Sequence, residues 1–170
     1  LHWPHVDNFA AARNASFALA TSEYIIWADS DDVLQEGGQH LRELAKEAKF
    51  DCVVMGYQIY GRGVRVPRER FIRRGTGKWV HAVHECFRFD HEPVNGAEDD
   101  RVIVSHEPNL FTTGKPKDDR LQKIGSTQRN LRILKSIPES EMTSGLYYHL
   151  QGELAVTGDQ AGSIAAGKKA

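Results

Sequence analysis

Five apolar residues, Tyr24–Ala28, run directly into three carboxylates within four positions, Asp29, Asp31 and Asp32. A run that short, bounded by charge, reads as a buried strand. Helical patterns lie on both sides of it. Before it, Asn8–Thr21 is Ala-rich, with Phe9, Ala12, Leu19 and Ala20 near one face and Asp7 as the expected N-cap. After it, Gly37 and Gly38 break the chain and Gln39–Phe50 repeats apolar residues at helical spacing (Leu41, Leu44, Ala45, Ala48). Asp51–Tyr60 reads as a second strand. Helix, strand, helix, strand in that order predicts an α/β layer with some parallel pairing.

Farther on, Gly61–Val80 carries Pro67 and several glycines, which predicts hairpin strands and loops. Arg62, Arg65, Arg68, Arg70, Arg73 and Arg74 are expected on one solvated face of it. Arg101–His106 is a short apolar strand. From Asp118 the pattern turns helical, with Leu121, Ile124, Leu131 and Leu134 on one side and Pro138 as the stop. A second helix is expected over Glu139–Asp159, ended by Gly158, and a third from Gln160. An α/β part over residues 1–115 and a helical part over 116–170 follow from this reading.

Composition narrows the class. Of the 170 residues, 40% are apolar and 26% charged, as in an ordinary globular protein, and a formal net charge of −1 argues against a nucleic-acid partner. Cys52 and Cys86 form neither a disulfide framework nor a zinc motif, so a reducing cytoplasm is the expected setting. No apolar run reaches the roughly 18 residues of a membrane span.

Clustered carboxylates repel, and a hard divalent cation at the end of a strand would relieve that repulsion. A calcium loop starting at Asp29 fails, because Val33, Leu34 and His40 stand where an oxygen ligand, a glycine and a bidentate glutamate belong. A solvated loop carrying N-caps is the plainest alternative. Asp29–Leu34 also fits D-x-D-x-[T/V]-L, the pattern of haloacid-dehalogenase-like phosphohydrolases. There Asp29 would be the nucleophile, Asp31 the acid, and Glu98–Asp100 later metal ligands.

Taken together, Asn8–Leu34 resembles glycosyltransferase family 2 of the GT-A fold, with its Arg-Asn helix, apolar strand and D-x-D. Phe71–Phe87, with its arginines, Trp79 and the His84-Glu85 pair, is similar to the following family segment, and Arg101–His106 to the strand ending in histidine. Gly145–Ala170 resembles a tetratricopeptide unit of the subfamily with trailing helices. The resemblance implies a partial GT-A-like (Rossmann-like) mixed sheet flanked by helices, then a TPR-like segment. It implies a metal-dependent inverting transferase that uses a nucleotide-sugar donor and a glycan, lipid-linked or protein acceptor. It assigns Mn²⁺ or Mg²⁺ to Asp31, His106 and Asp29, the donor to Arg13, Asp29 and Asp31, and the acceptor to Trp79 and His84. Glu85 would be the general base. The family's earlier β-α units have no counterpart before Leu1, so the expectation is a fragment, inactive alone, from a parent that is cytoplasmic or membrane-associated. A non-catalytic helical-repeat module that binds a partner protein is the remaining alternative.

Overall fold

The computed structural model describes residues 7–47, 49–59, 64–92, 94–107 and 119–170. Helix α1 (Phe9–Phe17) opens the described chain. Its cap is Asn8 rather than Asp7: Ala11 N–H donates to Asn8 Oδ1 at 2.9 Å, which satisfies one of the orphan amides of the first turn. Strand β1 (Tyr24–Ile26) is shorter and more exposed than expected of a buried strand. It occupies a sheet edge, where one backbone side and part of its faces remain open.

Asp32 does not sit in a loop; it begins a strand, β2 (Asp32–Glu36). Helix α2 (Gly38–Glu47) follows Gly37, whose φ of 81° and close approach to the Arg101 carbonyl leave no room for a Cβ. Then come β3 (Cys52–Ile59), β4 (Val64–Arg73), β5 (Gly77–Val80), β6 (Cys86–Phe89) and β7 (Gly96–His106). Pro67 lies inside β4. Only Phe71–Arg73 of that strand pairs with β1, so the Pro67 stretch has an open side, where a residue without an N–H is tolerated.

The mixed α/β fold is borne out. Five strands form one sheet in the order β1-β4-β3-β7-β2, while β5 and β6 pair with each other. Only β3 and β7 run parallel; the other neighbours are antiparallel. The two edge strands β1 and β2 are joined by residues 27–31 alone. In a flat sheet those edges would stand about 19 Å apart, close to the full reach of that link. The link also contains a turn, with Asp32 N–H donating to the Asp29 carbonyl at 3.0 Å, so the sheet curls. Leu41 and Leu44 of α2 close its core against Val53, Met55, Phe71 and Val102.

The helical segment comprises α3 (Asp119–Ser136), a 3-10 turn (Glu139–Glu141), α4 (Ser144–Val156) and α5 (Gln160–Gly167). Thr143 and Asp159 cap α4 and α5 with their side-chain oxygens, so the helix expected from Glu139 starts at Ser144 instead. Gly158, with φ 82°, ends α4 as anticipated. Ile133 and Leu134 of α3 pack with Leu146 of α4 and with Val83. Leu131 is only half-buried. Among the described residues no helix is long and apolar enough to cross a membrane.

Two compact units result. One holds the sheet, within Asn14–Lys78 and from Phe87 through β7; the other holds α1 through Arg13, Trp79–Cys86 and the helices from α3 onward. Arg62 lies outside the described residues. Arg65 and Arg68 are exposed as expected, but Arg70 is 1% exposed and Arg73 half-buried, so the arginines do not share one solvated face.

Candidate functional site

Side chains from across the curled sheet converge in one network. Arg70 of β4, Tyr57 of β3, His106 of β7, Asp32 of β2 and Trp27 of the β1–β2 link form a network around the acidic run. Arg70 Nη1 donates to Asp32 Oδ2 at 2.7 Å and to the Trp27 carbonyl at 3.3 Å. Its guanidinium lies between two aromatic faces, 3.7 Å from the Trp27 centroid and 4.4 Å from that of Tyr57. Tyr57 Oη donates to Asp32 Oδ1 at 3.1 Å, and Asp29 N–H to Asp32 Oδ2 at 2.9 Å. Burial, reinforced by the Asp32 carboxylate, pushes the Tyr57 phenol well above its ordinary range. The Asp32 side chain is 0% exposed and that of Arg70 2%. These facts overturn the solvated-face reading of Arg70. A buried guanidinium needs a carboxylate partner, and Asp32 supplies it.

Antiparallel pairing sets Asp32 opposite His106, and Glu107 N–H donates to the Asp31 carbonyl at 2.7 Å. Ligand atoms of Asp31, Asp32 and His106 consequently lie within 4.8 Å of one another. His106 Nδ1 is 3.5 Å from both Asp31 Oδ1 and Asp32 Oδ1. That is within ion-pair reach, but the atom is buried and forms no hydrogen bond among the described residues. Asp31 and His106 keep about a third of their side chains exposed. The structure therefore brings two of the three expected metal residues together. The third member of the group is Asp32 rather than Asp29. Only the β2–β7 register reveals Asp32, because adjacent aspartates look alike in sequence.

In the other unit, Arg13 Nε donates to Glu85 Oε1 at 2.8 Å, with both side chains mostly buried. Trp79 is 2% exposed and lies under the Arg13 guanidinium, 5.0 Å from centroid to Cζ. It is a core residue with no exposed ring face for an acceptor sugar, which corrects its assignment as a stacking platform. His84 adopts φ 53°, and its ring stacks on His149 at 3.9 Å with an interplanar angle of 3°. Asp99, the middle of the Glu98–Asp100 run, is held by its neighbour Arg101, whose Nη2 donates to Oδ2 at 2.6 Å.

The profile of Glycosyl transferase family 2 matches residues 1–109. A 72-residue stretch is 31% identical to "Poly(ribitol-phosphate) beta-N-acetylglucosaminyltransferase TarP" of Staphylococcus aureus (strain N315), covering 42% of this chain and 22% of that protein. The chain thus spans about a fifth of the length of the curated relative it matches. The family match replaces the phosphohydrolase reading of Asp29–Leu34, and the helices beyond residue 109 lie outside it. With the matched segment containing α1, the acidic run and β7, this chain belongs to glycosyl transferase family 2.

Proposed function

We propose that this chain serves an inverting, divalent-metal-dependent glycosyltransferase that moves a sugar from a nucleotide donor to an acceptor hydroxyl. The observation that carries the reading is the buried His106 Nδ1, which faces two carboxylates and has no hydrogen bond among the described residues. Asp32 is already engaged by Arg70, Tyr57 and the Asp29 amide, so Asp31 and His106 are the residues that would hold the cation. A mixed oxygen and imidazole donor set suits Mn²⁺ better than Mg²⁺. A bound cation there supplies Lewis-acid stabilisation to the departing diphosphate.

The chain's own groups do the rest. Asp29, next to Asp31, orients the donor. Glu85 takes the acceptor proton as the hydroxyl oxygen attacks. Arg13 fixes the Glu85 carboxylate through Oε1, and Oε2 accepts that proton. The activity named for the Staphylococcus aureus relative makes a nucleotide-linked N-acetylglucosamine the first donor to test.

The test is Mn²⁺-dependent donor binding and transfer by the full-length protein. Asp31→Ala and His106→Ala are expected to abolish Mn²⁺-dependent binding in calorimetry. Glu85→Gln should bind donor normally and lower kcat by about 10²–10⁴. Normal Mn²⁺ affinity in both metal variants would remove the metal reading, and near-normal kcat in Glu85→Gln would remove Glu85 as base.

A further inference from the structure

The turn His81–Glu85 links β5 to β6 and is conformationally demanding. His81 has φ 71° and His84 φ 53°, left-handed values that non-glycine residues adopt only when their surroundings hold them there. The anchors come from elsewhere in the same unit. The Ala82 carbonyl accepts from Phe9 N–H at 2.8 Å. Val83 is 3% exposed among Ile133, Leu134 and Leu146. The His84 ring lies flat on His149, and its Nε2 is 3.3 Å from Glu153 Oε1. That same oxygen accepts from Asn130 Nδ2 at 2.6 Å, so α3 tethers the carboxylate that α4 presents. Asn130 is in turn held through its Oδ1 by Arg129 Nη2 at 3.0 Å. Glu153, with a side chain 13% exposed, is a mostly buried carboxylate aimed at the residue before Glu85.

We propose that Glu153 and His149 are positioning residues for the His84–Glu85 turn: α4 sets the backbone of Glu85 while Arg13 of α1 sets its side chain. The inference rests on the reading of Glu85 as the base. Its physical content is that a left-handed His84 cannot persist on local preference. The imidazole stack and the Glu153 hydrogen bond supply the missing stabilisation, and Asn130 keeps Glu153 from following solvent. A base displaced by about 1 Å loses roughly a hundredfold in rate, so such anchoring bears directly on turnover.

The test uses the full-length protein, with amide hydrogen exchange over residues 81–86 and initial rates on a panel of nucleotide sugars. Glu153→Ala is expected to speed exchange in the turn by about tenfold or more while leaving β3 and β7 unchanged. It should lower kcat by at least about tenfold, with the donor KM within about twofold. Glu153→Gln keeps an oxygen acceptor for both Asn130 and His84 and should restore both readouts. His149→Ala removes the stack without touching the carboxylate and should show the same turn-specific exchange, which decides the matter if Glu153→Ala does not fold. Unchanged exchange at 81–86 in the folded variants overturns the proposal, and so does a loosened turn with unaltered kcat. A loosened turn together with near-normal kcat in Glu85→Gln refutes the base assignment instead, leaving Glu153 as the anchor of the turn.

Discussion

Asp31 and Asp32 are neighbours with opposite roles. Asp31 keeps a third of its side chain in solvent, whereas Asp32 has none and makes its hydrogen bonds inside the fold. Asp32→Asn preserves shape but leaves the Arg70 guanidinium buried without its counter-charge. Arg70 Nε already has no partner among the described residues, so the loss has little to compensate it. Breaking a buried pair from one side costs about 3–5 kcal/mol, and Asp32→Asn should lose that much in chemical denaturation. Asp31→Asn, which relieves repulsion at a partly exposed position, should stay within about 1 kcal/mol of the parent while losing Mn²⁺ affinity. Equal denaturation midpoints for the two variants would sink this division of labour.

Strands β3 and β7 each depend on a carboxylate near one end. Asp51, just before β3, accepts from Asn95 N–H at 2.9 Å and pairs with His91 at 3.1 Å. The Asn95 amide, then His91, holds its carboxyl below the ordinary range. The Arg101 side chain does the same for Asp99 within β7. A depressed folded value means that the ionised form favours the fold. The contribution is complete above the ordinary carboxylate value near 4 and is lost as pH falls through the folded values below it. Melting temperature should therefore drop between about pH 4 and pH 2. Asp51→Asn should be less stable at pH 7 and show a shallower acid decline. An unchanged slope in Asp51→Asn would mean that Asp51 contributes nothing to this dependence.

At the scale of the whole molecule, the helical segment and the turn that carries Glu85 belong to one compact unit assembled from distant stretches of chain. Val83 is buried against α3 and α4, so the turn's core is supplied from more than 45 residues downstream (Val83 to Ile133 is 50). A chain cut after residue 115 would leave Val83 without Ile133, Leu134 and Leu146. Exchange over residues 79–86 should rise sharply in that truncation, by at least about tenfold, while the β3 and β7 amides keep their protection. Native exchange at 79–86 in the shortened chain would show instead that the α/β part is self-sufficient, as a division at 115/116 implies.

Local pattern alone determined much of this protein. The Ala-rich helix, the short strand before the aspartates, the amphipathic α2, the end of α4 at Gly158 and the family motifs are all legible because each depends on residues within a few positions of one another. Tertiary structure decided what those residues face. Asp32 and Arg70 are 38 residues apart, Arg13 and Glu85 are 72, and His84 and Glu153 are 69. A buried arginine in an alternating strand has the same sequence signature as a solvated one. Which aspartate meets His106 is set by the register of β2 on β7, where a shift of one residue exchanges the inward and outward faces. The curl of the sheet, forced by a five-residue link between its two edges, made that register possible, and no window along the chain contains it.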